Sequence, residues 1–284
     1  LTLEHDIYPP LLKTLPDAPP LLYVIGELLL EDHRALAVVG TRKSTRYGHD
    51  AAFDLSGKLA AQGVTIVSGL APGIDAAAHE GALRAKGRTV AVLGSGIDII
   101  YPREHLELAR RIARQGALIS EFPIGTPPEG RNFPRRNRVI SGLAFGVMVV
   151  EAPQDSGALI TANIAAEQGR DVFAVPASIY NPMGTGTNRL IQDGAKLVMG
   201  IDDILDEVNL AHENSLTRTT AERIAPTDAV ELALMNYLGS DPVHIDELVR
   251  LSGLPIATVS STLTMLELKG LAQMVGHMQY SLIY

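Results

Sequence analysis

The chain has 284 residues, 46% of them hydrophobic and 20% charged, the balance of a folded globular protein and not of a disordered or fibrous one. It contains no cysteine, which excludes disulfides, thiol catalysis and cysteine-ligated metal and fits a reducing cytoplasm. The net charge of −8 argues against general nucleic-acid affinity, yet local charge matters more than the total, and RNFPRRNR at 131–138 holds Arg131, Arg135, Arg136 and Arg138 without an acid.

The first 34 residues, rich in proline and leucine, follow no clean period and read as an extended lead-in packed on the main domain. Beyond them, short apolar runs alternate with segments whose apolar residues recur every three or four positions. Strands are predicted at Leu36–Val39, Val64–Val67, Thr89–Leu93, Leu118–Ser120, Val147–Val150, Val172–Val175 and Lys196–Val198. Helices are predicted between them at Asp50–Gln62, Ile74–Lys86 and Leu159–Gln168. Such alternation implies an α/β, Rossmann-like, doubly wound and mostly parallel sheet over residues 1–208, with ligands gathered at the carboxyl ends of the strands. The N-terminus shows no basic-then-apolar signal pattern, and no apolar run reaches the roughly 18 residues of a membrane span.

Three glycine turns follow predicted strands: Gly40 to Arg42, then Gly69 to Gly73, then Gly94 and Gly96. Glycine permits close approach of backbone N–H groups to an anion, and a following helix start adds partial positive charge. The same glycines are equally explained by tight strand-to-helix packing. The dinucleotide fingerprint fails because Ile99 stands where its third glycine belongs, and no P-loop sequence is present, so the phosphorylated ligand is neither a nicotinamide dinucleotide nor P-loop ATP. The segment Glu121–Arg138 reads as a loop that carries the arginine run and one aromatic, Phe133, the pairing that single-strand binders use. Ser156 opens a further helix, as an N-cap or as a phosphate contact. Asp75 and His79 lie four apart on a helix and anchor a turn more readily than they catalyse, since no third group completes a nucleophilic arrangement.

Residues 209–227 are polar, lack a core period and read as a linker. Residues 228–284 resume with helical patterns at Ala229–Leu238, Ile245–Leu251 and Ile256–Lys269 and an alternating tail, the signature of a small winged-helix-like domain. That domain has six acids against Arg250 and Lys269, and its last helix offers mainly Ser260, Ser261, Thr262 and Thr264. A duplex-reading helix needs cations for phosphates, so this domain is expected to contact protein, or its own larger domain, and not duplex DNA.

The segments VGTR (39–42), SGLAPGIDAAAH (68–79), VLGSGIDIIYP (92–102), FPRRNRVISGL (133–143), SGALITA (156–162), GRDVFAVP (169–176) and GTNRLIQDGA (186–195) resemble, in order, the motifs of the DprA/Smf family. The resemblance runs from about Tyr8 to Val208. It implies an extended Rossmann fold that binds single-stranded DNA, as a homodimer, protects incoming DNA during natural transformation and loads the RecA recombinase. Carried over motif by motif, it implies that Arg42 holds a phosphate with the backbones of Gly40 and Gly69, that Gly94 flanks the site, that Arg131 lies at its mouth, and that Phe133 stacks on a base. Asn137 and Arg138 either join the site or brace the segment that carries them. The apolar stretch Asn188–Met199, near a sheet edge, is the expected dimer face. Family members often carry an N-terminal helical domain, and a start at Leu1 without methionine agrees with a truncated chain. No catalysis, cofactor or metal is expected, and the location is expected to be cytoplasmic. The rival readings are a nucleoside-monophosphate hydrolase of the lysine-decarboxylase-like (LOG) group and a protein-binding scaffold. For the first, SGALITANIAAE has a single early glycine, and Glu167 lies too far along the helix to serve as that group's glutamate.

Overall fold

In the computed structural model, residues 1–207, 229–239, 242–269, 271–276 and 278–282 are described. Contacts divide the chain into two units, Leu1–Val208 and Asn209–Tyr284. In the first, the order is α1 (Pro10–Lys13), β1 (Tyr23–Gly26), β2 (Ala35–Val39), α2 (Arg46–Ala61), β3 (Thr65–Ser68), α3 (Ile74–Arg84), β4 (Thr89–Val92), α4 (Leu106–Gln115) and β5 (Ala117–Ser120). There follow α5 (Asn132–Gly142), β6 (Gly146–Val149), α6 (Gly157–Glu167), β7 (Asp171–Ala174), α7 (Thr185–Gln192) and β8 (Lys196–Leu197). The eight strands form one sheet in the order β1-β5-β4-β3-β2-β6-β7-β8, parallel throughout except for β1.

All seven predicted strands are present, each within a residue of its predicted ends. Two readings need correction. The proline-rich lead-in contains β1, which pairs antiparallel with β5 from Tyr23↔Ser120 to Gly26↔Ala117. The arginine run is not on a loop but on helix α5.

β2 is buried at all five positions, so its apolar run needs no alternation and feeds both faces. Ala35, Ala37 and Val39 pack with Val139, Ile140, Ala158 and Ala162 of α5 and α6, while Leu36 and Val38 pack with Leu55, Leu59, Ala77 and Ala78 of α2 and α3. The N-terminal segment closes the first face through Leu12 and Leu22, both fully buried and each contributing roughly 1.5–3 kcal/mol. β3 and β6 lie on opposite sides of β2, so the chain reverses direction across the sheet there. The connections that leave the carboxyl ends of β2 and β6 lead to opposite faces, to α2 and to α6, and leave a crevice between them, the usual ligand position in open α/β sheets.

The second unit holds α8 (Ala229–Met235), β9 (Val243–His244), α9 (Ile245–Ser252), α10 (Ile256–Leu268), β10 (Ala272–Gly276) and β11 (Gln279–Leu282). The strands form an antiparallel sheet, β10-β11-β9, over a core that includes Leu234, Leu248, Val259, Leu263 and Leu266. Three helices and a hairpin of this kind form a winged helix. The predicted linker, 209–227, lies outside the described residues. Among the described residues no helix is long and apolar enough to cross a membrane.

Candidate functional site

A cleft of about 400 Å³ opens at the crevice between the carboxyl ends of β2 and β6. The turn after β2 (Gly40 to Lys43), the first turns of α5 (Phe133, Arg136, Asn137) and the start of α6 (Asp155 to Ala158) form its walls, with Asp75 at the back.

The turn after β2 is rigid for identifiable reasons. A side chain at Gly40 would approach Ile74 Cγ1 to 2.5 Å and the Glu151 carbonyl to 2.8 Å, so only glycine fits. The Thr41 amide donates to that same carbonyl at 2.7 Å. The buried Glu151 carboxylate then accepts from both the amide and the hydroxyl of Thr45, each at 2.7 Å, just where Thr45 caps α2. Strand β6 thereby fixes the turn on β2, and Arg42 and Lys43 project from it, both exposed. The Arg42 guanidinium lies 5.1 Å from the Phe133 ring centre, a cation–π contact that holds its charge over the cleft.

Helix α5 separates its arginines. Arg136 points inward, is 5% exposed, and donates to the carbonyls of Gly69 (2.7 Å) and Val92 at the ends of β3 and β4. Burial lowers its pKa to about 10; Asp75 opposes that shift and Arg42 adds to it. It therefore stays charged at neutral pH. Asp75 is buried, which pushes its pKa up, and its carboxylate accepts from the amides of Gly69 (3.1 Å) and Ala71 (3.4 Å). Arg131, at the helix start, is 80% exposed, pairs with Glu129 at 2.7 Å and is not in the cleft wall. Arg135 lies over Phe122 at 5.5 Å. Arg138, 18% exposed, pairs with Glu121 and with Asp17 (3.3 Å) and donates to the Asp17 carbonyl at 2.7 Å. Of the two roles left open for it, the structure shows bracing. Asn137 lines the cleft and also accepts from Arg136 Nε at 3.2 Å.

Two of the glycines serve a purpose other than the expected one. The Gly69 amide is taken by Asp75, and a side chain there would meet the Arg136 guanidinium at 2.6–2.7 Å. A side chain at Gly94 would meet the Phe133 ring at 2.7 Å. Neither residue lines the cleft, and both make room for the first turns of α5. Gly40, Arg42, Phe133, Asn137 and Ser156 are brought together in the wall; Gly69, Gly94, Arg131 and Arg138 are not.

At the opposite wall Ser156 Oγ accepts from the Ala158 amide at 3.3 Å and caps α6. Open space lies beside Gly157, so the partial positive charge of this 11-residue helix faces the cleft. The site thus offers two exposed cations, one buried cation, a helix start and a half-buried aromatic, a set suited to a phosphodiester next to a base. Sequence reasoning sets Lys43 in a small basic cluster with Arg42 and Arg46 without placing it in the site, and it missed the inward role of Arg136; the spacing Phe133–Arg136 is one helical turn and would have signalled those two on one face. His79 donates from Nδ1 to Thr89 Oγ1 (2.7 Å) deep in the core, and burial pushes its pKa down to about 3. Among the described residues no group of His, Asp and Glu is placed to hold a metal.

The family model described as DNA recombination-mediator protein A matches residues 1–209, and one described as DprA winged helix domain matches 218–276. Protein Smf of Escherichia coli is 43% identical over 275 residues, 94% of this chain and 73% of that protein. DNA processing protein DprA of Bacillus subtilis is 46% identical over 202 residues, 71% of this chain and 68% of that one. Among solved structures, DNA processing protein A of Streptococcus pneumoniae matches with a TM-score of 0.70 at 43% identity, over 73% of each chain. That of Helicobacter pylori, described for its single-stranded DNA binding mode, matches with a TM-score of 0.65 at 30% identity, over 73% of this chain and 94% of that one.

Proposed function

The chain belongs to the DNA recombination-mediator protein A family, and from that premise we propose that it binds single-stranded DNA in the cleft between β2 and β6 without cutting it. The strand's phosphates lie against Arg42, Lys43 and the start of α6, and a base rests near Phe133. Bound in this way, the protein covers incoming DNA during natural transformation and passes it to the RecA recombinase, acting as a homodimer in the cytoplasm. The exposed Leu197 in edge strand β8 and Met199 just beyond it support a dimer face in the 188–199 stretch. The observation that carries the binding reading is the exposed Arg42 guanidinium, held over Phe133 at the mouth of a cleft that also contains a helix start.

The two buried carboxylates nearest the site support a non-catalytic role, because Asp75 accepts from two amides and Glu151 from the amide and hydroxyl of Thr45, which leaves Asp155 as the exposed carboxylate of the cleft wall. Glu167 ends α6, ten residues from its start and so about 15 Å from the cleft, too far for the hydrolase reading. The second unit's role in protein contact is supported by its exposed Ile256, Met265, Met274 and Met278. It is supported also by the hydroxyls of Ser261 and Thr264, which donate to their own helix backbone.

A salt titration of oligo-dT binding tests the reading. Each phosphate contact adds about −0.7 to the log–log slope, so Arg42→Ala should flatten it by about 0.7. An unchanged slope removes Arg42 from the site. Turnover of AMP by the wild type would replace the binding reading with the hydrolase. Loss of most affinity on removing residues 228–284 would return the second unit to the DNA interface.

A further inference from the structure

We propose that Tyr101, with Arg103 two residues on, forms a second nucleotide subsite beside the cleft, where the next base of the strand stacks on the tyrosine ring and its phosphate meets the arginine. This rests on the single-strand reading above and adds the direction in which the strand leaves the cleft, over the segment that follows β4.

Tyr101 lies on the same segment as Gly94, the glycine that makes room for Phe133. Its ring centre is 6.0 Å from that of Phe133, tilted by 38°, well inside the range of aromatic pairs. The two rings differ in what is left open. Phe133 is half-buried and already faces Arg42 at 5.1 Å and Arg136 at 5.9 Å. Tyr101 is 46% exposed, lies outside the cleft wall, and its hydroxyl has no hydrogen bond among the described residues. Exposing so large a ring forfeits the stabilisation its burial would bring. Stacking on a base restores it without demanding any sequence, because every base has a π-face. Arg103 is exposed and makes no ion pair among the described residues. Two residues span at most about 7 Å of backbone, so its flexible side chain serves the same nucleotide. The two rings, Phe133 and Tyr101, are then neighbours, with Arg42 over the first and Arg103 two residues beyond the second, so that adjacent bases would each have a ring and a cation within reach.

The competing role for Tyr101 is to brace Phe133, and a strand without bases separates the two. Binding of oligo-dT and of an abasic strand of equal length is measured for wild type, Tyr101→Ala, Tyr101→Phe and Arg103→Ala. Tyr101→Ala should weaken oligo-dT binding roughly 5- to 150-fold and leave abasic binding unchanged, and Tyr101→Phe should restore it. Arg103→Ala should flatten the salt slope by about 0.7. The chain has no tryptophan, so Tyr101→Trp places a single indole at the subsite, whose emission oligo-dT should quench and the abasic strand should not. An equal loss on both strands means that the ring only braces its neighbour and overturns the subsite, as does unquenched emission while oligo-dT stays bound. An unchanged slope in Arg103→Ala overturns the arginine's part. If wild type fails to bind oligo-dT, or Arg42→Ala keeps the full slope, the cleft reading itself has failed, and the subsite with it.

Discussion

Gly69→Ala is the sharpest probe of how the site is held, because one methyl group acts there on one side chain. The added Cβ would lie 2.6 Å from Arg136 Nη1 and 2.7 Å from Cζ and Nη2. The guanidinium has nowhere to go, since it is 5% exposed and donates to the carbonyls of Gly69 and Val92. Gly69 does not have the left-handed backbone that alanine avoids, so the cost is steric and not conformational. Losing both charged hydrogen bonds costs roughly 1.5–3 kcal/mol apiece, and alanine returns roughly 0.4–1 kcal/mol of chain entropy. The net destabilisation is then about 2–5 kcal/mol. Urea denaturation of wild type, Gly69→Ala, Arg136→Ala and the double variant measures it. Once Arg136 is gone the methyl has nothing to strike, so the double variant should be about as stable as Arg136→Ala alone. Strictly additive losses would refute the account. The same displacement should weaken oligo-dT binding, because Arg136 lies 5.9 Å from the Phe133 ring.

Two further substitutions probe a histidine that the sequence reads as a structural anchor and an arginine whose role it leaves open. His79 has its pKa lowered from 6.5 to about 3 by burial, with His105 and Arg136 adding to the shift. Between those values the unfolded chain binds a proton that the folded one refuses, so stability is present above pH 6.5 and falls as the pH drops toward 3. Denaturation midpoints at pH 7, 6 and 5 should show wild type losing about 1 kcal/mol per pH unit more than His79→Leu; parallel profiles would contradict the assignment. Arg138→Met breaks the pairs with Glu121 and Asp17, and should cost about 3 kcal/mol in stability while leaving the salt slope of oligo-dT binding at its wild-type value. A flatter slope would put Arg138 back among the phosphate contacts.

The parallel core was legible because its strands are buried on both faces and read as unbroken apolar runs between glycine turns. β1 was not, since Tyr23–Gly26 is an edge strand, half-buried to exposed, whose only specification is its pairing with β5. Helix α5 was hidden by Pro134, which in isolation reads as a breaker. Pro134 is the third residue of the helix, where a missing N–H costs nothing. Reading a loop there had consequences, because a helix turns successive side chains by about 100° and so sends each arginine to a different neighbour. Arg131, Arg136 and Arg138 lie within eight residues of one another and serve a surface pair, a buried brace and a clamp on the N-terminal segment. The glycine turns were found, but Gly69 and Gly94 owe their identity to side chains more than 35 residues away, contacts that no local pattern carries.

The reversal of the chain at β2 also sets when the protein can begin to work. The cleft draws on Gly40 to Lys43, on α5, and on the start of α6 at residue 157, so its walls are made more than a hundred residues apart. On a ribosome adding about 5–20 residues per second, the segment that carries Arg42 and Lys43 emerges well before the opposite wall and before the residue that anchors its turn. Only when β6 has inserted beside β2 does Glu151 anchor the Arg42 turn. On the proposed reading, a nascent or proteolysed chain that stops short of α6 should fail to hold DNA, and competence to bind should arrive late in synthesis.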